Sequence, residues 1–456
     1  MMNKNTTVKA LIYMLFSILI VFLSVNHLVY ADEKQEAAVS TGMPEPFMNL
    51  AKLTVNPGKK IKLQVLMYNG KIKWSSKDES VATVDKRGQV TAVAAGTTYI
   101  LAETSDKLMK CKIKVKPVSE IRICAVGDAL LHENIMNFGK KSDGSYNYDE
   151  LFKNMADTFR RFDVRIINQE TVFINDESKF AGYPSFGSPK ELGDSMRKYG
   201  FNVITCATNH AYDRGISGIK DTVDYWSDYS DNVLMTGIYT SQKSFNKLSI
   251  REYNGIKIAF LNYTTLLNSG AKRESYNIKM YSDSLVKKEI EAAKKKADFV
   301  IVLPHWGEEY VHEPSARQIS SARIIAEAGA DLIIGCHPHV VQPMKIIKTS
   351  DGRKVPCYYS LGNYFSNMFW FKCQLEGMVD VTIQKNTSGT KIIDASYIPI
   401  VNHMNPDDTK FTVYTLDDYS EELAKKHYMN YRICSGLVTK AKLKNLFSSI
   451  GNDSWK

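Results

Sequence analysis

Seven side chains in the middle of the chain have types that bind metal ions, and they sit at equivalent places. Asp128, Glu170, Asn209 with His210, His305, and His337 with His339 each close an apolar run of strand length. Carboxylate oxygen, amide oxygen and imidazole nitrogen together favour Mn, Fe or Zn over Ca or a thiolate site. Asn168 and Glu170 are two positions apart, as are His337 and His339. In extended chain such residues point the same way, so each pair can address one centre. Asp128, Glu170, Asn209, His305, His337 and His339 suffice for two divalent ions. Bridged by one carboxylate, the ions would lie roughly 4 Å apart, a spacing that activates water and neutralises charge on a phosphoryl-type group.

The elements that must position these residues can be read from hydrophobic pattern. "IRICAVGD", "FDVRIINQE", "FNVITCATNH", "IKIAFLNYT", "ADFVIVLPHWG", "ADLIIGCHPHV" and "VPCYYSLGNYF" are apolar nearly throughout, as strands buried on both faces are. Amphipathic stretches such as 284–296 and 316–328 lie between them. The alternation predicts an α/β domain over 119–400, with its polar residues on the sheet edge where α/β proteins bind ligands. Residues 401–456 are more polar, with a helical signal around 417–426, and read as a C-terminal extension.

The first 117 residues differ. Lys4 and Lys9 precede a run without charge over 10–31, with Val29, Ala31 and Asp32 at its end. That is the pattern of a secretory signal. At about 20 residues it is also long enough for an uncleaved membrane anchor. Both readings place the rest outside the cytoplasmic membrane, at the cell surface or secreted. Residues 32–46 read as a linker. Over 47–117 about six short stretches alternate like strands, split by turn residues such as Asp85 and Gly88, which predicts a small β-sandwich with Trp74 in its core. Seven cysteines without a C-x-x-C pair give no disulfide framework. A net charge of +10 suits association with an anionic capsule or cell-wall polymer. Export argues against nucleic acid, and oligomeric state is left open.

Two resemblances sharpen this reading. The block containing Trp74-Ser75-Ser76, Val81-Ala82, Gly88, Val90 and Gly96 resembles the bacterial Ig-like domain, group 2, usually a surface spacer or adhesion module. Further on, "AVGDALLH", "NQE", "ATNHAYDRG", "HWGEEY", "GCHPHVVQP" and "YSLGNYFS" follow the order of the CapA/PgsA capsule-synthesis family. That family is related in fold to calcineurin-like metallophosphoesterases, which implies a four-layer α/β/β/α sandwich. It implies one ion on Asp128, Glu170 and His339, with His132 beside them. A second ion would sit on Glu170, Asn209, His305 and His337, with Glu170 bridging. His210 would be the catalytic histidine that protonates a leaving oxygen. The first motif departs from the phosphoesterase pattern, because His132 stands four residues after Asp128, and Glu170 replaces the usual bridging Asp.

Around these motifs, Asp213 and Arg214 suggest a local ion pair or a substrate contact. Glu308 or Glu309 could orient a ligand imidazole, and Asn363 could cap a turn or donate to a substrate oxyanion. The resemblance implies a surface protein of capsule synthesis or export, of poly-γ-glutamate type. It would be either a metal-dependent hydrolase or transferase acting on a polymer-linked ester or amide, or a non-enzymatic scaffold of a membrane capsule-synthesis complex. A glycan-binding adhesin would leave the strand-end cluster without a purpose.

Overall fold

The computed structural model describes residues 45–386 and 388–455. The expected export signal and most of the expected linker over 32–46 lie outside these residues. Residues 47–115 form a sandwich of a four-stranded and a three-stranded sheet with a short two-stranded ribbon. Leu63, Val90, Ile100, Cys111 and Ile113 are fully buried between the layers. Trp74 is only half-buried and packs along the side of that core, because its strand Lys73–Ser76 lies at a sheet edge.

The larger domain is built on two sheets. In the first, strands β1 (Ser119–Ala129), β2 (Val164–Gln169), β3 (Val203–Thr205) and β4 (Leu234–Thr236) run parallel. The second is built on β5 (Ile250–Tyr253), β6 (Ile256–Thr264), β7 (Phe299–His305), β8 (Leu332–Ile334), β9 (Val341–Lys348) and β10 (Lys354–Leu361). Its order is β5-β6-β7-β8-β10-β9, with β6, β7, β8 and β10 parallel. The first sheet is completed by β11 (Asn363–Phe365), which pairs with β1, and by β12 (Leu375–Asn386), β13 (Gly389–Met404) and β14 (Phe411–Thr415), which continue it antiparallel beyond β1.

Strand alternation assigns each face its partner. Ile121, Ile123 and Ala125 of β1 point inward and meet Ile258, Phe260, Ile301 and Leu303 of the second sheet. Cys124 and Val126 point outward and pack with the helices α1 (Glu133–Gly139), α2 (Glu191–Lys198) and α3 (Gly215–Ser227). On the far side Leu261, Val300 and Val302 pack with α4 (Asp283–Lys294) and α5 (Ala316–Glu327). The result is helix, sheet, sheet, helix, the four-layer sandwich expected. Ser282 caps α4, and Ser315 with Gln318 forms a capping box on α5, which starts both helices where the polar-to-apolar pattern begins.

The expected boundary at residue 400 is corrected. Strand β13 runs straight through it, and β14 adds another strand to the same sheet. The chain then returns through α6 (Lys440–Ser449). Asn452 and Asp453 accept from the backbone of β9 at Met344 and Ile346 (2.8 and 2.9 Å), which covers an edge that would otherwise be open. This segment read as an extension because its strands carry polar residues among the apolar ones, with Asn402 and His403 buried and Thr412 and Tyr414 part-buried. The apolar part is substantial: Leu416, Tyr419, Met429, Val438 and Leu443 complete a core with Val341, Leu375 and Val401.

Burial of a large apolar side chain stabilises by ~1.5–3 kcal/mol, so that core matches the ~5–15 kcal/mol of a whole domain. A chain ending at residue 400 is therefore expected to lose its cooperative thermal transition, read by circular dichroism. One that ends at 455 should keep it.

Candidate metal centre

The strand-end residues converge at the edge where the two sheets meet. Asp128, Glu170 and His339 each offer a ligand atom within 4.8 Å of the others, as do Glu170, His305 and His337. Glu170 is common to both groups. Both of its carboxylate oxygens are buried without a hydrogen-bond partner, as is Nδ1 of His337. A buried carboxylate without partners costs several kcal/mol, and the imidazoles around it are cation ligands. These donors fit divalent metal ions.

Each first-sheet residue is held by its neighbours. Gly127, ahead of Asp128, lies so close to Gly362 that a side chain on it would reach the Gly362 carbonyl at 1.9 Å. The glycines of "AVGD" and "SLGN" thus let β1 and β11 meet. The Asp128 amide donates to that carbonyl (3.0 Å). Asn168 donates to Oδ1 of Asp128 (2.7 Å) and accepts from the Thr205 hydroxyl (2.7 Å). Its role is to position Asp128, although its spacing from Glu170 had suggested a shared centre. The Asp128 Oδ2 accepts from the His337 amide (3.1 Å). Asn209 Oδ1 lies 2.8 Å from Nε2 of His305, so these two expected ligands hold each other.

The histidine pair of "GCHPHV" meets the centre by a different route from strand alternation. His337 and His339 have φ of 102° and 56°, conformations that cost non-glycine residues of order 1–3 kcal/mol each and gather at functional sites. β8 has ended at Ile334, and a strained turn aims both rings inward. Asn363 fixes one of them: its Oδ1 lies 3.0 Å from Nδ1 of His339, and its amide donates to Glu376 (3.2 Å). Asn363 therefore orients a histidine, which is neither of the roles its sequence context suggested. The buried acid behind it, Glu376, gives no signal in sequence.

His132 joins none of the three groups of potential ligands found among the described residues. It precedes α1, and its Nδ1 accepts from the Asn367 amide (3.2 Å) while its ring packs edge-on against Phe186. Burial, with His339 and His210 nearby, lowers its pKa to about 4. These contacts engage Nδ1 and one edge of the ring.

His210 lies beside the centre. Its Nδ1 is 2.7 Å from Oδ2 of Asp213, which also accepts from the Phe186 amide, and its Nε2 accepts from Asn268 (3.3 Å). The expected Asp213–Arg214 pair does not form. Arg214 donates instead to the Ser185 carbonyl. Asp213 is the orienter of His210, three residues on in the same turn, and "NHAYD" carries that i, i+3 signal.

Electrostatics follow from burial. Desolvation, then the Asp128 carboxylate, pushes Glu170 well above the usual carboxylate range. Desolvation lowers His305 far below its ordinary value and brings His337 down to about 3. His339 is opposite: burial alone would lower it, but the Glu170 and Asp128 carboxylates outweigh this and raise it to about 9.

A family model described as "Bacterial capsule synthesis protein PGA_cap" matches residues 122–368, and "Bacterial Ig-like domain (group 2)" matches 49–110. The chain is similar to the PGA biosynthesis protein CapA of Bacillus subtilis (strain 168), at 33% identity over 202 residues, covering 44% of this chain and 52% of that protein. It is also similar to the capsule biosynthesis protein CapA of Bacillus anthracis, at 28% identity over 292 residues, covering 62% of this chain and 68% of that one. The chain thus spans about half of the first relative and about two thirds of the second. Among solved structures, a putative 5'-nucleotidase from Staphylococcus aureus aligns with TM-score 0.41 at 15% identity, over 62% of this chain and 54% of that one. The calcineurin-like phosphoesterase YfkN of Bacillus subtilis aligns with TM-score 0.38 at 15% identity, over 62% and 91%. These alignments carry no argument on chemistry, and the four layers rest on the strand pairing above.

The raised His339 pKa fixes a sign. Without metal, its stabilising pairing is fully present below the unfolded histidine value near 6.5 and is lost as pH rises through about 9. The melting temperature of chelator-treated protein is expected to fall between pH 7 and 9, by the equivalent of up to ~3 kcal/mol. Glu170→Gln should flatten that slope, measured by differential scanning calorimetry.

Proposed function

Since the chain belongs to the bacterial capsule synthesis protein family PGA_cap, we propose that it serves the synthesis or export of an anionic capsule polymer of poly-γ-glutamate type. The relatives named for capsule and PGA biosynthesis support this. Its place of action is the cell surface, secreted or held by the N-terminal apolar run. The reaction is hydrolysis or transfer at a polymer-linked ester or amide. One observation carries the chemical part: the Glu170 carboxylate, buried and unpartnered, shared by two groups of carboxylate and imidazole ligands.

Asp128, Glu170 and His339 would hold one divalent ion, and Glu170, His305 and His337, with Asn209, the other. Mn, Fe or Zn there would supply Lewis-acid charge and lower the pKa of a water molecule. The chain's own residues do the rest. Asp213 accepts the Nδ1 proton of His210, which leaves Nε2 to exchange a proton with substrate. Phe186 packs edge-on against the ring at 4.7 Å, and the buried setting excludes bulk water. Protonation of the departing oxygen or nitrogen by His210 is the step this arrangement favours. The +10 net charge attracts the acidic polymer over a range set by salt.

The test is metal content and turnover together. Protein comprising residues 32–456 is expected to hold two equivalents of Mn or Zn by plasma mass spectrometry and to turn over phosphoester or γ-glutamyl substrates. Glu170→Ala should lose metal and activity. His210→Ala should keep the metal and lose ~10²–10⁴ in rate. Metal-free wild type with activity unchanged in Glu170→Ala would rule the proposal out. Capsule assembly that survives His210→Ala in cells would leave a scaffold role.

A further inference from the structure

The loop after β7 carries a side chain that the proposed centre does not yet use. Glu309 is exposed, yet its carboxylate forms a third group with ring nitrogens of His337 and His339, all within 4.8 Å of one another. The backbone that carries it is fixed on both sides. The Trp306 amide donates to the Cys336 carbonyl (3.0 Å) and the Tyr310 amide to the Pro338 carbonyl (2.7 Å). The loop is thus laced residue for residue to the strained histidine turn.

Two left-handed residues make the loop fold back. Gly307 has φ 98° and Tyr310 has φ 65°. A side chain at Gly307 would meet the Gln318 amide at 2.6–2.7 Å, so only glycine allows this path. Lys372 then donates to the Tyr310 carbonyl (2.6 Å) and its ammonium lies over the Tyr310 and Trp370 rings. Four contacts from two other segments hold Glu309 above the histidines. On the histidine side, His337 is 3% exposed and its Nδ1 has no hydrogen-bond partner.

We infer that Glu309 is a further ligand of the cation centre, a carboxylate on the solvent side of His337 and His339. This rests on the metal-centre reading above. Glu170 would supply a charge from the buried side. Glu309 supplies one from the open side, where it can give way to an incoming anionic group without unfolding anything. Burial separates the two roles: the buried Glu170 would stay with the ions, and the exposed Glu309 could exchange. Asp128, Glu170 and Glu309 together would put three negative charges against two dications, leaving a net positive site for an acidic substrate.

Isothermal titration of the full chain with MnCl₂ and ZnCl₂, after chelation, tests this. Glu309→Gln is expected to bind at least one ion about ten- to a hundredfold more weakly than wild type, the scale of loss when a metal site gives up a supporting group. Metal-free Glu309→Gln should melt with the wild type, because Glu309 is exposed, but should gain less melting temperature on adding metal. Glu308→Gln should behave as wild type in both measurements. Wild-type affinity and stoichiometry in Glu309→Gln, whether or not its metal-free melting changes, would overturn the inference and leave the two-ion centre standing. A wild-type chain that binds neither ion would overturn both.

Discussion

One carboxylate that cannot be satisfied by protein alone sets the terms for this domain. Glu170 ends β2 in the seam between two sheets, with both oxygens buried and unpartnered. Its neighbours are better provided for: Asp128 accepts from Asn168 and from a backbone amide, and Asn363 spans His339 and Glu376, although Nδ1 of His337, Nδ2 of Asn209 and Oε2 of Glu376 are also without a partner. Burial and the Asp128 carboxylate disfavour the charged form of Glu170, and the nearby His305 and His339 rings stand 3.8 Å from its Oε1 without a hydrogen bond, a costly setting for a carboxyl group. Its retention makes sense when an external cation supplies what the chain withholds.

The two sheets contribute different chemistry to that seam. The first gives oxygen: Asp128, Glu170 and Asn209 stand at the ends of β1, β2 and β3. The second gives nitrogen: His305 follows from β7, and His337 with His339 from the turn after β8. The second sheet adds one carboxylate of its own, Glu309 on the loop after β7, but the groups that contain Glu170 draw ligands from both sheets. The centre exists only where the sandwich is closed, by Ile121, Ile123 and Ala125 against Ile258, Phe260 and Ile301. The apolar layer between the sheets is therefore the positioning device, and the edge chemistry is its product.

How far this could be read from the residues follows from what is local. Asp128, Glu170, Asn209 and His305 were legible because each ends an apolar run, and a parallel sheet brings such ends to one edge. The helices over Asp283–Lys294 and Ala316–Glu327 were legible from periodicity and caps. The positive φ of His337 and His339 was not, since nothing in "CHPH" distinguishes strand alternation from a strained turn. Asp213, Asn268 and Asn363 act through contacts that loops create, and loop paths depend on distant partners such as Ser185 and Glu376. His132 was placed by resemblance, and its hydrogen bond from the Asn367 amide to Nδ1 could not be read from sequence. Residues 401–456 were misjudged because their strands bury polar side chains such as Asn402 and His403, which breaks the apolar pattern.

Closure of the sandwich and possession of the centre are thus coupled in both directions. Cations bound between oxygen ligands from one sheet and nitrogen ligands from the other would tie the layers together, adding RT ln(1 + [L]/Kd) to folding stability for each ion held by the folded state alone. Conversely, any loosening of the apolar seam would first be felt as a change of ligand spacing at its edge, because imidazole and carboxylate must stay within a few tenths of an ångström of their proper distances to bind. A domain built this way can tolerate variation in its outer helices, which touch only the far faces of the sheets. It has far less freedom at Gly127, Gly362 and the residues between the sheets, where a methyl group would alter both the fold and the ligands.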